Sequence, residues 1–314
     1  MRPCTGDVNC HYGRMSALVV LLVGLVAGIV VRRRRRLPAQ AAAVVNIWLL
    51  DIALPALVLR AMHDVNFPGN LALVVAAPYL LFVLSTALYL LAARPMRLSR
   101  QTVMALVAAT AVANTSFVGF PMVTVFFGAS SVPIAVLVDQ LGSFLLLNTV
   151  VLGAVTIIAG ASLPRAELAR RVLTAPALLA LVTALALRPV AFPGWLDSAL
   201  DSLGATLTPL ALFSIGMQLE VRAVRQWWRE LALGLGVKLV VAPALVVGVY
   251  ALTGTLGDHD VTIALFEAAM PPMVAGALIA ARHDLATPLP SLLVGVGVPL
   301  SFATLPVWSL LLKS

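Results

Sequence analysis

Ten apolar stretches separated by short loops leave this 314-residue chain few folds to choose from. They lie near 15–31, 39–61, 70–93, 102–127, 131–160, 172–190, 197–219, 230–252, 260–281 and 287–312. Each is about as long as a helix needs to be to cross a bilayer, whereas a barrel strand needs only about ten residues of alternating polarity. In hydrocarbon every backbone N–H and C=O must be satisfied within the chain, so these stretches read as helices. The expected fold class is an all-α membrane protein of about ten transmembrane helices. Apolar residues at 61% and charged ones at 11% agree, since a soluble domain carries roughly 45–50% and 25%.

The net charge of +8 would suggest nucleic acid in a soluble protein, but here it reads as topology. Every second loop is basic: Arg32 to Arg36; Arg94, Arg97 and Arg100; Arg165, Arg170 and Arg171; Arg222, Arg225 and Arg229; then Arg282. That places 15 of the 21 basic residues on one side, against Arg2, Arg14, Arg60, Arg188 and Lys313 on the other. By the positive-inside rule the arginine-rich side is cytoplasmic, so both termini face out of a bacterial inner membrane. Met15 to Val31 reads as the first helix and not as a cleaved signal, because the Arg32 to Arg36 block stands where a cleavage site would. Met15 also offers a second start besides Met1. Cys4 and Cys10 support neither a zinc site nor a disulfide framework, and no cofactor motif is present.

Ten helices with both ends outside divide into two sets of five of opposite orientation, an inverted repeat of 1–160 and 161–314. Pro55 in ALPALVLRAM and Pro209 in LTPLALFSIGM are 154 apart; Pro121 ending NTSFVGFP and Pro272 ending EAAMPP are 151 apart. Proline interrupts or kinks a helix, and helices interrupted at matching places in two halves point to a transport site at mid-membrane depth. The plainer reading is an ordinary proline kink. Around the two breaks stand Asn114, Thr115, Ser116, Gly119 and Pro121 in one half, and Glu267, Pro271 and Pro272 in the other, the expected substrate-binding set. Half-helix N-termini carry partial positive charge, which favours an anionic ligand.

Four ionisable residues fall inside the apolar runs: Asp51, Asp139, Lys238 and Glu267. Each costs about 2.5–3.5 kcal/mol at the bilayer centre on insertion scales and calls for a partner or a wet cavity. Lys238 is notable because 19 of the 21 basic residues are Arg, and Lys gives up its proton on burial far more readily. Lys238, Asp139 and Asp51 are the candidates for ion coupling or electrostatic tuning. The plainer reading of Lys238 is a fixed ion pair with Glu267 or Asp139; that of Asp51 is a helix-interface bond. Asn46, Gln140 and Asn148 read as inter-helix hydrogen bonders. The four histidines, His11, His63, His259 and His283, fall in polar segments and read as solvated, and the topology splits them between two sides, against a shared metal.

NIWLLDIALPALVLRAM, ANTSFVGFPMVTVFFG, LTPLALFSIGMQL and EAAMPPMVAGALIA, in the second, fourth, seventh and ninth segments, together resemble the auxin efflux carrier family, whose bacterial members include malate and malonate permeases. The spacing Asn114, Gly119, Pro121, Gly128 is the most specific part. The resemblance implies a scaffold domain and a transport domain intermixed across both repeats, and a relation to bile-acid sodium symporters and sodium/proton antiporters. It also implies that the fourth and ninth helices cross near the substrate, at Pro121 and at Pro271 or Pro272. The large cytoplasmic loop of the plant carriers is absent, since Pro164 to Arg171 form only a short link. The expected activity is secondary transport of a small organic anion, a malate-like, malonate-like or auxin-like carboxylate, by alternating access driven by protons or sodium. A bile-acid-symporter-like carrier, a non-transporting receptor and an intramembrane enzyme are the alternatives. A homodimer is an expectation of the resemblance alone.

Overall fold

The computed structural model describes residues 7–34, 37–38, 40–161, 163–219 and 223–313, with side chains from residue 19 on. Arg2, Cys4, Arg35, Arg36 and Arg222, and the side chains of Cys10, His11, Arg14 and Met15, lie outside the described residues. The chain is helical throughout, with one isolated antiparallel bridge between Ala113 and Pro272 among the described residues.

In chain order the helices are α1 (Asp7–Arg33), α2 (Ala41–His63), α3 (Leu71–Ala93) and α4 (Arg100–Leu106, prolonged by a wide turn at Val107–Ala111). Then come α5 (Thr115–Phe127), α6 (Ala129–Ile158), α7 (Arg165–Leu173), α8 (Pro176–Ala186), α9 (Gly194–Gln218), α10 (Trp228–Leu252), α11 (His259–Ala268), α12 (Val274–Arg282) and α13 (Leu289–Leu311). All ten apolar stretches are helical over most of their length. Six of these helices are singly long and apolar enough to cross a membrane, and α7 with α8, bent by 54°, makes a seventh. The fourth and ninth stretches fall outside that count because each is two short helices, α4/α5 and α11/α12. This is a multi-pass, all-α membrane protein.

Local chemistry sets the helix ends. Ser99 caps α4 by accepting from the Thr102 N–H at 3.0 Å, and Asp258 caps α11 by accepting from Asp260 and Val261. Gly128 stops α5 at φ +95°, a conformation that L side chains avoid. Inside the long helices the chain widens into π-helical turns at Leu49–Ala53, Asp139–Ser143, Leu147–Val151 and Val237–Val241. Asp51, Asp139 and Lys238 each sit in one, and such bulges often accompany functional sites.

The helices form two groups. In the first, α1 runs along the second half of α9, and α8 and α9 both pack on the outer half of α2. The α1–α9 contact is nearly backbone on backbone: a Cβ at Gly216 would overlap the Leu25 carbonyl, and one at Gly28 the Phe213 carbonyl. Small residues permit such approach, and dispersion then replaces the absent hydrophobic drive between helices in lipid. The second group holds α3 to α6 and α10 to α13, with α3 against α10 and α11, α4 against α13, and α6 against α11. The groups meet where α9 touches the first turn of α5, α1 touches the rest of α5, and α2 touches α6. The broken fourth segment therefore lies on the seam.

One histidine departs from its expected solvated place. His63 is 5% exposed, stacks on Phe192 at 3.7 Å, and its Nε2 faces the Leu187 and Val190 carbonyls at 3.2 and 2.9 Å. It staples the end of α2 to the end of α8, a contact that needs the tertiary fold to exist. Beside it Arg60 reaches Asp64, Asp197 and Asp201 at 3.3 to 3.5 Å.

Overpacking a tight contact costs about 1–3 kcal/mol. Gly216→Val is expected to lower the thermal midpoint of the detergent-purified protein by several degrees, while Gly248→Val, where a Cβ meets nothing within 4 Å, leaves it within a degree or two. Differential scanning fluorimetry checks the pair.

Candidate functional site at the crossing of two broken helices

Where a helix stops inside a membrane, its freed backbone groups need partners at that depth. The two breaks supply each other. The Asn114 N–H donates to the Pro271 carbonyl at 3.0 Å, the Met273 N–H donates to the Ala109 carbonyl at 2.8 Å, and Ala113 and Pro272 form the antiparallel bridge between them. Proline is at home in this crossing because its missing N–H is one fewer donor to satisfy. Pro121, expected at the break, lies instead inside α5, in its second turn; the chain breaks earlier, before Asn114.

The start of α5 is built by Asn114, whose side-chain oxygen accepts the Phe117 N–H at 3.3 Å while its own carbonyl accepts from Gly119. This winds Thr115–Gly119 as a wide turn and aims two hydroxyls at α6. Thr115 and Ser116 both donate to Oδ1 of Asp139, and the Gln140 amide donates to its Oδ2 at 2.7 Å. Asp139 is 1% exposed, so a carboxylate in the membrane is held by three side-chain donors from two helices.

Glu267 is solved differently. It is fully buried on the last turns of α11, and neither carboxylate oxygen has a hydrogen-bond partner among the described residues. Its carboxylate lies against Gly119, where a Cβ would overlap it. Lys238, also fully buried, does not form the expected ion pair: its Nζ donates to the Ala268 carbonyl at 3.1 Å, and no salt bridge joins it to Glu267 or Asp139 among the described residues. Glu267 is nevertheless within electrostatic reach of both Lys238 and Asp139. The Ala268 carbonyl that Lys238 takes is one that the break of α11 frees, since the residue four further on is Pro272, which has no N–H to give it.

Asn114, Thr115, Ser116, Gly119, Pro121, Asp139, Lys238, Glu267, Pro271 and Pro272 are thus gathered in one buried region, and Asp51 is not. It is exposed on the face of α2 that carries Val44 and Ile47, away from the crossing. Of the expected inter-helix bonders, Asn46 accepts from Ser214 at 2.6 Å across α2 and α9, whereas Asn148 bonds only the Phe144 carbonyl of its own helix.

Residues not singled out by sequence complete the region. The Tyr89 hydroxyl bonds Thr110 and the Gly234 carbonyl, and the Tyr250 hydroxyl bonds the Leu73 carbonyl. Both tyrosines bond across the antiparallel pair α3 and α10, the pair that also carries Ser85 and Lys238. Ser85 is fully buried and its hydroxyl has no partner among the described residues. A serine in an apolar run was the only available signal, and depth alone does not tell which neighbour it meets.

On the side away from the arginine-rich loops a cavity of about 640 Å³ is lined by Phe126, Phe127, His259, Thr262 and Lys313 among others. Phe126 and Phe127 pack edge-on against Phe266, with ring centroids 5.6 and 4.9 Å apart, and the next residue is Glu267.

Broken helices paired at mid-depth around buried charge, on the seam between two helix groups, define a membrane transport protein. Comparison with known proteins agrees: the family model described as "Membrane transport protein" matches residues 14–160 and 165–309. The chain belongs to this family, the auxin efflux carrier family. It is also similar to an uncharacterized transporter of Methanothermobacter thermautotrophicus, with 26% identity over 302 residues that cover 95% of this chain and 97% of the relative.

Removing an acceptor that satisfies buried donors costs about 1–3 kcal/mol. Asp139→Ala is expected to lower the thermal midpoint by several degrees, and Asp139→Asn by less, since an amide oxygen still accepts from Thr115 and Ser116.

Proposed function

We propose that this protein is a secondary carrier of small organic anions, working by alternating access and coupled to a proton or sodium gradient across a bacterial inner membrane. The observation that carries the reading is the crossing itself: two helix ends meet at Asn114 and Pro271, with Glu267 beside them lacking a hydrogen-bond partner among the described residues. The helices Thr115–Phe127 and Val274–Arg282 both begin at this crossing, so their positive dipole ends face the region, which suits a carboxylate. Asn114 Nδ2, a buried donor without a partner among the described residues, adds to them.

The charges then divide the work. Lys238, held by a single carbonyl bond, is the group that can move from Ala268 toward a bound anion. Glu267 is the group that accepts a proton or a cation, and so ties substrate charge to the driving ion. Loading both together keeps the net charge of the region nearly constant while it changes sides, which lowers the cost of carrying charge through low dielectric.

The two helix groups are read as scaffold and transport domains, and the chain as inverted repeats 1–160 and 161–314. The contact pattern supports the repeat: α1 with α9 has its counterpart in α8 with α2, and α4 with α13 in α11 with α6. Because α5 lies on the seam, sliding one group against the other moves the crossing relative to its surroundings without breaking the bonds that hold it together. The cavity above Phe126, Phe127 and Phe266 is then the outward approach. With the positive-inside orientation, both termini stand on that side. The reading is of a carrier and not of an enzyme or receptor.

Uptake of labelled malate, malonate and indole-3-acetate into proteoliposomes under imposed pH and sodium gradients tests it. Gradient-dependent uptake is expected, reduced at least tenfold in Lys238→Ala and in Glu267→Gln and within about twofold of wild type in Asp51→Asn. Folded protein that moves no carboxylate under any gradient would sink the proposal.

A further inference from the structure

From the arginine-rich end of the molecule a groove of about 410 Å³ runs between α10 and α13, on their outer side. Its walls include Leu231 and Leu235 from one helix and Leu300 and Thr304 from the other. Beyond Thr304 the Trp308 indole donates to the Leu239 carbonyl at 2.8 Å and ties the two helices together. The groove's floor is bare at Gly236, where a Cβ would meet no atom within 4 Å. Its rim is open to the outside, for Val240 and Leu300 are 54% and 46% exposed. Both belong to membrane-spanning helices, so the medium outside is lipid acyl chain.

Charge distinguishes this groove from an ordinary lipid-facing surface. On α10 the positions Arg229, Ala232, Gly236 and Val240 form one stripe at helical spacing, so Arg229 stands at the head of the groove. Arg225 lies one turn earlier in the chain, next to Val224, which also lines the groove. Both arginines are exposed, and neither forms an ion pair among the described residues. Glu230, the acidic neighbour, is a third of a turn off the stripe. Trp228 lines the mouth, 61% exposed, at the position an interfacial indole takes between acyl chains and headgroups.

We propose that this groove is a binding site for an anionic phospholipid, one acyl chain lying over Gly236 between α10 and α13 and the phosphate held by Arg225 and Arg229. A guanidinium pair recognises a phosphodiester by charge and by paired N–H donors, whereas the apolar walls alone take any acyl chain. The headgroup therefore selects and the groove holds. The lipid bridges α10, which carries Lys238, to α13, and so steadies the helix that positions that ammonium. The site itself does not depend on which anion the protein carries.

The test uses the full-length protein in neutral detergent, with its thermal midpoint followed as phosphatidylglycerol, phosphatidylcholine or glycerol 3-phosphate is added, and lipid adducts counted by native mass spectrometry. Phosphatidylglycerol is expected to stabilise at a mole fraction at least tenfold lower than phosphatidylcholine, and glycerol 3-phosphate not at all. Arg225→Gln with Arg229→Gln should abolish the preference while phosphatidylcholine binding persists. Gly236→Leu, which fills open space and favours helix, should keep a native midpoint without lipid yet lose the adduct. Equal responses to the two lipids, a preference that survives in either variant, or stabilisation by glycerol 3-phosphate alone would each overturn the proposal.

Discussion

Two backbone hydrogen bonds, Asn114 N–H to Pro271 and Met273 N–H to Ala109, are what the rest of the structure depends on. A helix that ends in hydrocarbon exposes peptide groups whose desolvation costs several kcal/mol each. Neither break is tolerable alone, and each is tolerable because the other lies across it. Once they are paired, the helix ends cannot separate without orphaning both sets of groups. α4, α5, α11 and α12 are therefore held as one unit, with α6 attached through Asp139 and its two donors on α5.

The same pairing creates the chemistry. A continuous helix consumes its own carbonyls and N–H groups; a broken one has some to spare. The Ala268 carbonyl is spare, and Lys238 takes it, which leaves both Glu267 oxygens without a hydrogen-bond partner among the described residues. Asp139 is the opposite case, fully engaged and so a fixed part of the frame. Three buried ionisable groups thus stand in different surroundings, and what separates them is how many hydrogen bonds the neighbouring backbone and side chains offer each.

Elsewhere the molecule shows how lipid changes the rules of packing. Between α1 and α9 contact is made by glycines at Gly28 and Gly216, where close approach gains dispersion energy that larger side chains would forfeit. At the water-facing end of α2, by contrast, polar side chains join the helices: His63 bridges to two carbonyls, and Arg60 to aspartates of α9.

Much of this was legible in the residues themselves. Apolar length and the alternation of arginine marked the helices, and Asn114, Pro271 and Pro272 stand where the two broken helices meet, whereas Pro121 lies inside α5, because backbone satisfaction in lipid and the missing proline N–H are local constraints. Partners were another matter. His63 in a polar stretch turned out to be stacked and bonded, Asp51 in an apolar one turned out to face outward, and Lys238 chose a carbonyl over the carboxylates expected for it. Which groups meet depends on residues far apart in the chain arriving at one depth and one helix face. Local sequence determines that a segment spans, breaks or carries a charge; only the packed helices decide what that charge faces.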